Sequence, residues 1–251
     1  MDEADTTDAP RKPFVSRSKT ANLLFEAIFM TSVCRIRYYY ARILRFTGKE
    51  REKMQADILS KLKSSAESCY MCPLAETRKK AVFGEGPFDA PAMLVGEAPG
   101  ADEDELGRPF IGRSGRLLSS LMEEAGLPRE KLFITNMVKC RPPENRLPAR
   151  QELEACRPYL LAQIAAIRPS LVLAVGNVPA RAFLHTGEGI TSLRGKFYTA
   201  ESEAFSFMVR PVFHPSYLLR NRSAAEGKPI SLTLTDLQEA RKFLEKAIPG
   251  F

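Results

Sequence analysis

Ala92-Met93-Leu94-Val95-Gly96-Glu97-Ala98-Pro99-Gly100 runs from four apolar residues straight into a turn punctuated by glycine and proline. An apolar run of that length, bounded by such residues, reads as a buried strand. Three more runs of the same kind follow: Leu132 to Thr135, Leu171 to Val175 and Phe207 to Phe213. Helical patterns separate them. Ser114 is placed to cap a helix from Gly115 to Ala125, stopped by Gly126 and Pro128. Residues 149–167 form a second helix, ended by Pro169, a third follows Asn177, and the last covers about Leu232 to Ala247. Strands alternating with helices, and apolar on both faces, predict an α/β sandwich built on a largely parallel sheet.

That topology locates a site. Open α/β sheets bind ligands outside the carboxyl ends of their strands. The residues just past those ends are Gly96 and Glu97, Asn136, Gly176 and Asn177, and His214. A carboxylate, two amides and an imidazole are therefore expected on one rim. His214 is one of only two histidines in the chain, and it stands directly before Pro215 and Ser216.

Four of the five cysteines bracket this region. Cys69 and Cys72 form a C-x-x-C pair, and Cys140 is followed by Cys156 after fifteen residues. Thiols at these spacings hold structural zinc or an iron–sulfur cluster. Cys34 stands outside the set, as an unligated residue of an N-terminal helix.

Composition sets wider bounds. The chain has 251 residues, 44% hydrophobic and 27% charged, as in a globular protein of one domain plus an extension. Its net charge of +7 points weakly to a polyanionic partner. Residues 1–68 read as an N-terminal extension with a polar, disordered start. A helical stretch from Ala21 to Phe46 follows, mixing apolar residues with Arg35, Arg37, Arg42 and Arg45, and a charged lead-in helix occupies 49–68. The mixed stretch suits a membrane surface, DNA or packing on the body. The acidic start is unlike a targeting leader, and Leu23 to Cys34 is too short to span a bilayer. A cytoplasmic protein, bacterial or archaeal, with no membrane partner is expected.

From Cys69 to the C-terminus the chain resembles the family 4 uracil-DNA glycosylases. The resemblance rests on Cys69-Tyr70-Met71-Cys72-Pro73-Leu74, on Gly96 to Gly100, and on Gly107-Arg108-Pro109-Phe110-Ile111-Gly112-Arg113-Ser114-Gly115. It continues in Ile134-Thr135-Asn136-Met137-Val138-Lys139-Cys140-Arg141-Pro142-Pro143, in Glu154-Ala155-Cys156-Arg157-Pro158, and in His214-Pro215-Ser216-Tyr217-Leu218-Leu219-Arg220. It implies a three-layer α/β/α sandwich with a central, mostly parallel four-stranded sheet over residues 69–251. It also implies excision of uracil from single- and double-stranded DNA by a monomer, leaving an abasic site with the backbone intact.

The resemblance also implies roles. Gly96, Ala98, Phe110, Asn136 and His214 would bind uracil, Asn136 reading the base edge and Phe110 stacking on its face. His214 would donate to the departing uracil O2, and Glu97 would orient or activate water. Ala98 stands where some relatives carry Asp, so Glu97 is the expected carboxylate. Glu103 and Asp104 are the runners-up, unless Asp102 to Glu105 is a solvated loop. Gly100 stands where some relatives place an aromatic that blocks the thymine methyl. In the last motif Leu218 or Leu219 would wedge into the vacated base stack unless both belong to the core, Ser216 would face DNA, and Arg220 and Lys139 would contact phosphate. Cys69, Cys72, Cys140 and Cys156 would hold a four-iron four-sulfur cluster with a structural role. A non-catalytic DNA-binding module would need no Glu97, Asn136 and His214 together at strand ends.

Overall fold

The computed structural model describes residues 47–202 and 205–248; the expected helix from Ala21 to Phe46, the polar start expected to be disordered, and Cys34 lie outside them. The three shortest apolar runs form β1 (Ala92–Gly96), β2 (Leu132–Asn136) and β3 (Leu171–Val175), and every residue of each is buried. Strands covered on both faces have no position for a polar residue facing water, which is why these runs show no alternation. The expected four-stranded sheet has a fifth strand. β4 (Tyr198–Glu201) pairs antiparallel with β5 (Ser206–Val212) at the edge. The order is β2-β1-β3-β5-β4, and the remaining pairings are parallel.

Alternate strand residues feed two separate cores. On one face Met93, Val95, Phe133, Val172 and Val209 pack under α1 (Lys49–Glu67) and α5 (Arg150–Ile167). On the other, Ala92, Leu94, Leu132, Ile134 and Leu173 pack under α4 (Arg113–Glu124) and α9 (Pro229–Ala247). Helices on both faces make the expected three-layer sandwich. Short helices fill the connections: α2 (Leu74–Thr77), α3 (Ala101–Leu106), α6 (Asn177–Leu184), α7 (Ile190–Leu193) and α8 (Pro215–Arg220). Among the described residues no helix is long and apolar enough to cross a membrane.

Just before the boundary expected between residues 68 and 69, α1 packs on the body. Leu59 and Ala66 of α1 are buried in the first core. Gln55 Nε2 donates to the Ala166 carbonyl at 2.8 Å, and Tyr159 Oη donates to the Ser65 carbonyl at 3.0 Å. The charged pattern of α1 hides a narrow apolar stripe that needs α5 to cover it.

Ser114 does not cap α4. The helix begins two residues earlier than expected, at Arg113 after Gly112, and no side chain of its own caps it. Glu103 of α3 serves instead, accepting from the amides of Ile111 at 2.9 Å and Gly112 at 2.8 Å. A carboxylate there satisfies orphan N–H groups and meets the positive end of the helix dipole.

Candidate functional site

The register pairs Gly96 with Asn136 across β1 and β2, so the two strands end side by side. Asn136 is 1% exposed, and its Oδ1 has no hydrogen-bond partner among the described residues. A buried amide oxygen left unpaired costs about 1–3 kcal/mol, so it marks a place where a ligand donor belongs. Phe110 closes over the same point. An alanine Cβ at Gly96 would lie 2.9 Å from Phe110 Cε2, and closer still to Phe110 Cζ and Asn136 Oδ1. Only a glycine leaves room for the ring and the amide together.

Phe110 reaches this position from a left-handed backbone, with φ of 53°. Such strain costs about 1–3 kcal/mol and persists only where neighbours over-determine it. Here Gly115 lets α4 lie against the Phe110 backbone, which any Cβ would overlap. Arg129 donates to the Pro109 carbonyl at 3.0 Å and the Phe110 carbonyl at 3.2 Å, and is itself paired with Glu85 at 2.8 Å. Sequence reasoning missed Arg129 and Glu85, because neither belongs to a motif.

Past Gly96 the chain stays pinned to the end of β2: Met137 N–H donates to the Gly96 carbonyl at 2.8 Å and Val138 N–H to the Glu97 carbonyl at 3.2 Å. The half-buried Glu97 therefore stands on a fixed backbone, with Ala98 beside it packed against the first core. Burial pushes the Glu97 carboxyl above the usual carboxylate range. The competing acids are already used. Glu103 also accepts the Gly100 amide at 3.0 Å, and Asp104 accepts the Lys79 amide at 3.0 Å. Asp102 to Glu105 is thus not a solvated loop but part of α3, with Glu103 and Asp104 buried. A Cβ at Gly100 would face Glu103 Oε2 at 2.6 Å, so that position is occupied by the carboxylate rather than left open.

His214 caps α8. Its Nδ1 accepts the Ser216 amide at 3.2 Å and lies 2.7 Å from Ser216 Oγ. A backbone N–H can only donate, so Nδ1 is the bare nitrogen and the ring proton sits on Nε2. Burial, with the nearby positive charge of Arg220 as the smaller cause, pushes its pKa down to about 4, which keeps the ring neutral. It lies against Gly176, where φ of +94° and the 3.1 Å from an added Cβ to His214 Cβ both call for glycine. Asn177 is not free: its Oδ1 accepts the Ile190 amide at 2.8 Å and fixes α7.

Along α8 the side chains divide. Leu218 is fully buried in the second core and cannot wedge into DNA, whereas Leu219 is half-buried and Arg220 and Tyr217 are exposed. Tyr217 rests on Phe213, ring centres 5.1 Å apart. Lys139 does not reach the surface. It is 1% exposed, and its Nζ donates to Thr135 Oγ1, the Asn136 carbonyl and Gln163 Oε1, each at 2.7 Å. Burial lowers its pKa to about 8, against a raising effect from Cys156 and Cys140.

Cys69, Cys72, Cys140 and Cys156 line one pocket on the α1–α5 side, together with Arg78, Lys139 and Tyr159. All four are free thiols. Arg78 Nη1 donates to Cys140 Sγ at 3.1 Å and the Lys139 amide to Cys156 Sγ at 3.2 Å. Burial raises the Cys72 and Cys140 thiols and pushes Cys156 up to about 12. Among the described residues no three side chains close on one point as ligands of a single ion. The thiols instead line one pocket, with N–H donors aimed at Cys140 and Cys156, and four thiols are a donor set suited to zinc or to an iron–sulfur cluster. Metal would have to displace their protons.

The sequence model of the uracil DNA glycosylase superfamily matches residues 83–238. A type-4 uracil-DNA glycosylase of Thermotoga maritima is 41% identical over 192 residues, covering 76% of this chain and 96% of the relative. Type-4 uracil-DNA glycosylases of Pyrobaculum aerophilum (43% identical, 64% of this chain, 85% of the relative) and Saccharolobus solfataricus (40% identical, 70% and 90%) align similarly. The chain belongs to the uracil-DNA glycosylase superfamily and, within it, to the type-4 enzymes.

Proposed function

We propose that the protein is a DNA repair glycosylase that hydrolyses the N-glycosidic bond of deoxyuridine, releasing uracil and leaving an abasic site. The observation that carries this is the buried Asn136 Oδ1, without a partner among the described residues, beside the strained Phe110 backbone. The target base leaves the stack and enters the pocket, where Phe110 covers its face. Asn136 Oδ1 accepts the uracil N3–H, and the amide nitrogen donates to O4. As the C1′–N1 bond breaks, the electron pair moves onto uracil, and the neutral His214 Nε2–H donates to O2 where that charge grows. Glu97 as carboxylate faces the cationic sugar and orients the water whose oxygen bonds to C1′, taking the proton that the water gives up and that finally neutralises the uracil anion. Ser216 acts on His214, fixing which ring nitrogen carries the proton.

We place the catalytic unit from α1 to α9, with DNA running past the His214 loop. The exposed Arg220 and Tyr217 and the half-buried Leu219 suit phosphate and groove contacts. Cys69, Cys72, Cys140 and Cys156 would hold a four-iron four-sulfur cluster that ties the chain before β1 to the segment after β2 and to α5. When bound, the cluster supplies structure, since hydrolysis transfers no electron. Thiol ligands suit a reducing, cytoplasmic compartment. Single- and double-stranded DNA both serve as substrate for the monomer. Incubation with a uracil-containing oligonucleotide tests the reading: free uracil over many turnovers, with intact strands until base or heat is applied, is expected. Intact DNA binding with no uracil released would point to a binding module instead, and a stable protein–DNA adduct to covalent trapping in place of turnover.

A further inference from the structure

We propose that Lys139 is a positioning residue that couples the thiol pocket to the base-reading amide, rather than a DNA contact. The inference rests on the assignment of Asn136 as the residue that reads uracil. Lys139 lies between the two sites and touches both. Its neighbour in sequence is Cys140, and its amide N–H donates to Cys156 Sγ. Its side chain runs back along the chain to the end of β2, where Nζ takes the Asn136 carbonyl.

The remaining donors complete a closed network. Nζ also bonds Thr135 Oγ1 and Gln163 Oε1. Thr135 Oγ1 and Gln163 Nε2 in turn both donate to the Phe83 carbonyl at 2.8 Å. Thr135, Gln163 and Lys139 are at most 1% exposed. Gln163 lies two helical turns beyond Cys156, on the same face of α5. Lys139 is thus clamped along one face of α5, with Cys156 at one end and Gln163 at the other.

The ammonium is held by hydrogen bonds to three neutral oxygens, Thr135 Oγ1, the Asn136 carbonyl and Gln163 Oε1. A buried cation needs such compensation. The network therefore transmits the position of the cysteine segment to the carbonyl of Asn136, whose own side-chain oxygen has no partner among the described residues. A shift of the Asn136 backbone moves its amide away from the base, and misplacement of about 1 Å in a substrate-positioning group costs up to about 100-fold.

A double-mutant cycle tests this. Lys139→Met and Thr135→Val are each measured alone and in an Asn136→Ala background, for kcat/KM of uracil excision and for iron content. Thr135→Val is close to isosteric and carries the test where Lys139→Met does not fold. Each variant is expected to lose about tenfold or more with Asn136 present, and less than about twofold with Asn136→Ala, because coupled residues are non-additive. Iron content should stay at the wild-type level in Thr135→Val. Equal losses in both backgrounds, or no loss with Asn136 present, would overturn the proposal. Full activity in Asn136→Ala alone would instead remove the base-reading assignment beneath it.

Discussion

Replacing Gly96 with alanine adds a single methyl group where the Phe110 ring and the Asn136 amide already meet. That carbon would sit 2.9 Å from Phe110 Cε2 and nearer still to Phe110 Cζ and Asn136 Oδ1, whereas ordinary contacts begin at 3.4 Å. Ring and amide must therefore each retreat by about 1 Å. Neither retreats freely. Phe110 is held from behind by Gly115 and Arg129, and Asn136 by Lys139 on its carbonyl. A misplacement of that size costs about 100-fold in rate, or about 2.7 kcal/mol, and the overpacking itself costs about 1–3 kcal/mol of stability. Single-turnover excision and thermal melting, run beside Gly187→Ala, measure both. A Cβ at Gly187 meets nothing within 4 Å, so that variant should match wild type. Wild-type excision by Gly96→Ala would show that uracil does not bind between Phe110 and Asn136.

The pH profile should report Glu97 and not His214. Excision falls with pH as Glu97 protonates, at a pH above its ordinary 4.5, and Glu97→Gln should abolish that limb. No inflection is expected near 6.5, because the half-buried His214 stays neutral down to about 4. The unfolded chain protonates His214 first as pH falls, so stability should drop between about 6.5 and about 4, and a melting series on His214→Gln should flatten there. Cys156→Ser should lose iron on metal analysis and melt at lower temperature; full iron retention would remove Cys156 from the ligand set. Removing residues 1–46 should leave folding and excision intact. Removing residues 1–68 should destabilise the protein by at least the roughly 2–5 kcal/mol of a lost core leucine, since Leu59 goes with α1. Equal melting temperatures for the two truncations would contradict the packing of α1 on α5.

The parallel strands could be read from the sequence because burial on both faces leaves them uniformly apolar. β4 could not: it is a four-residue edge strand with two exposed positions, and nothing in Tyr198–Glu201 departs from a loop. The rim residues Glu97, Asn136 and His214 followed from where strands end, and the cysteines from their spacing. What the sequence concealed was the direction of side chains. Leu218 and Leu219 are neighbours in one motif, yet a helical turn sends the first to the core and leaves the second partly open. Lys139 looks like a surface cation until three internal oxygens claim it. Glu103 caps a helix from nine residues away, and Arg129 braces Phe110 from nineteen, contacts that only the fold creates.

Release of free uracil from a uracil-containing oligonucleotide, comparing wild type with His214→Ala, tests the central claim most directly. Loss of a donor to the developing anion should slow excision about 10²–10³-fold, with DNA binding retained. Equal release by both proteins would contradict the role of His214, and no release by wild type would contradict the glycosylase itself.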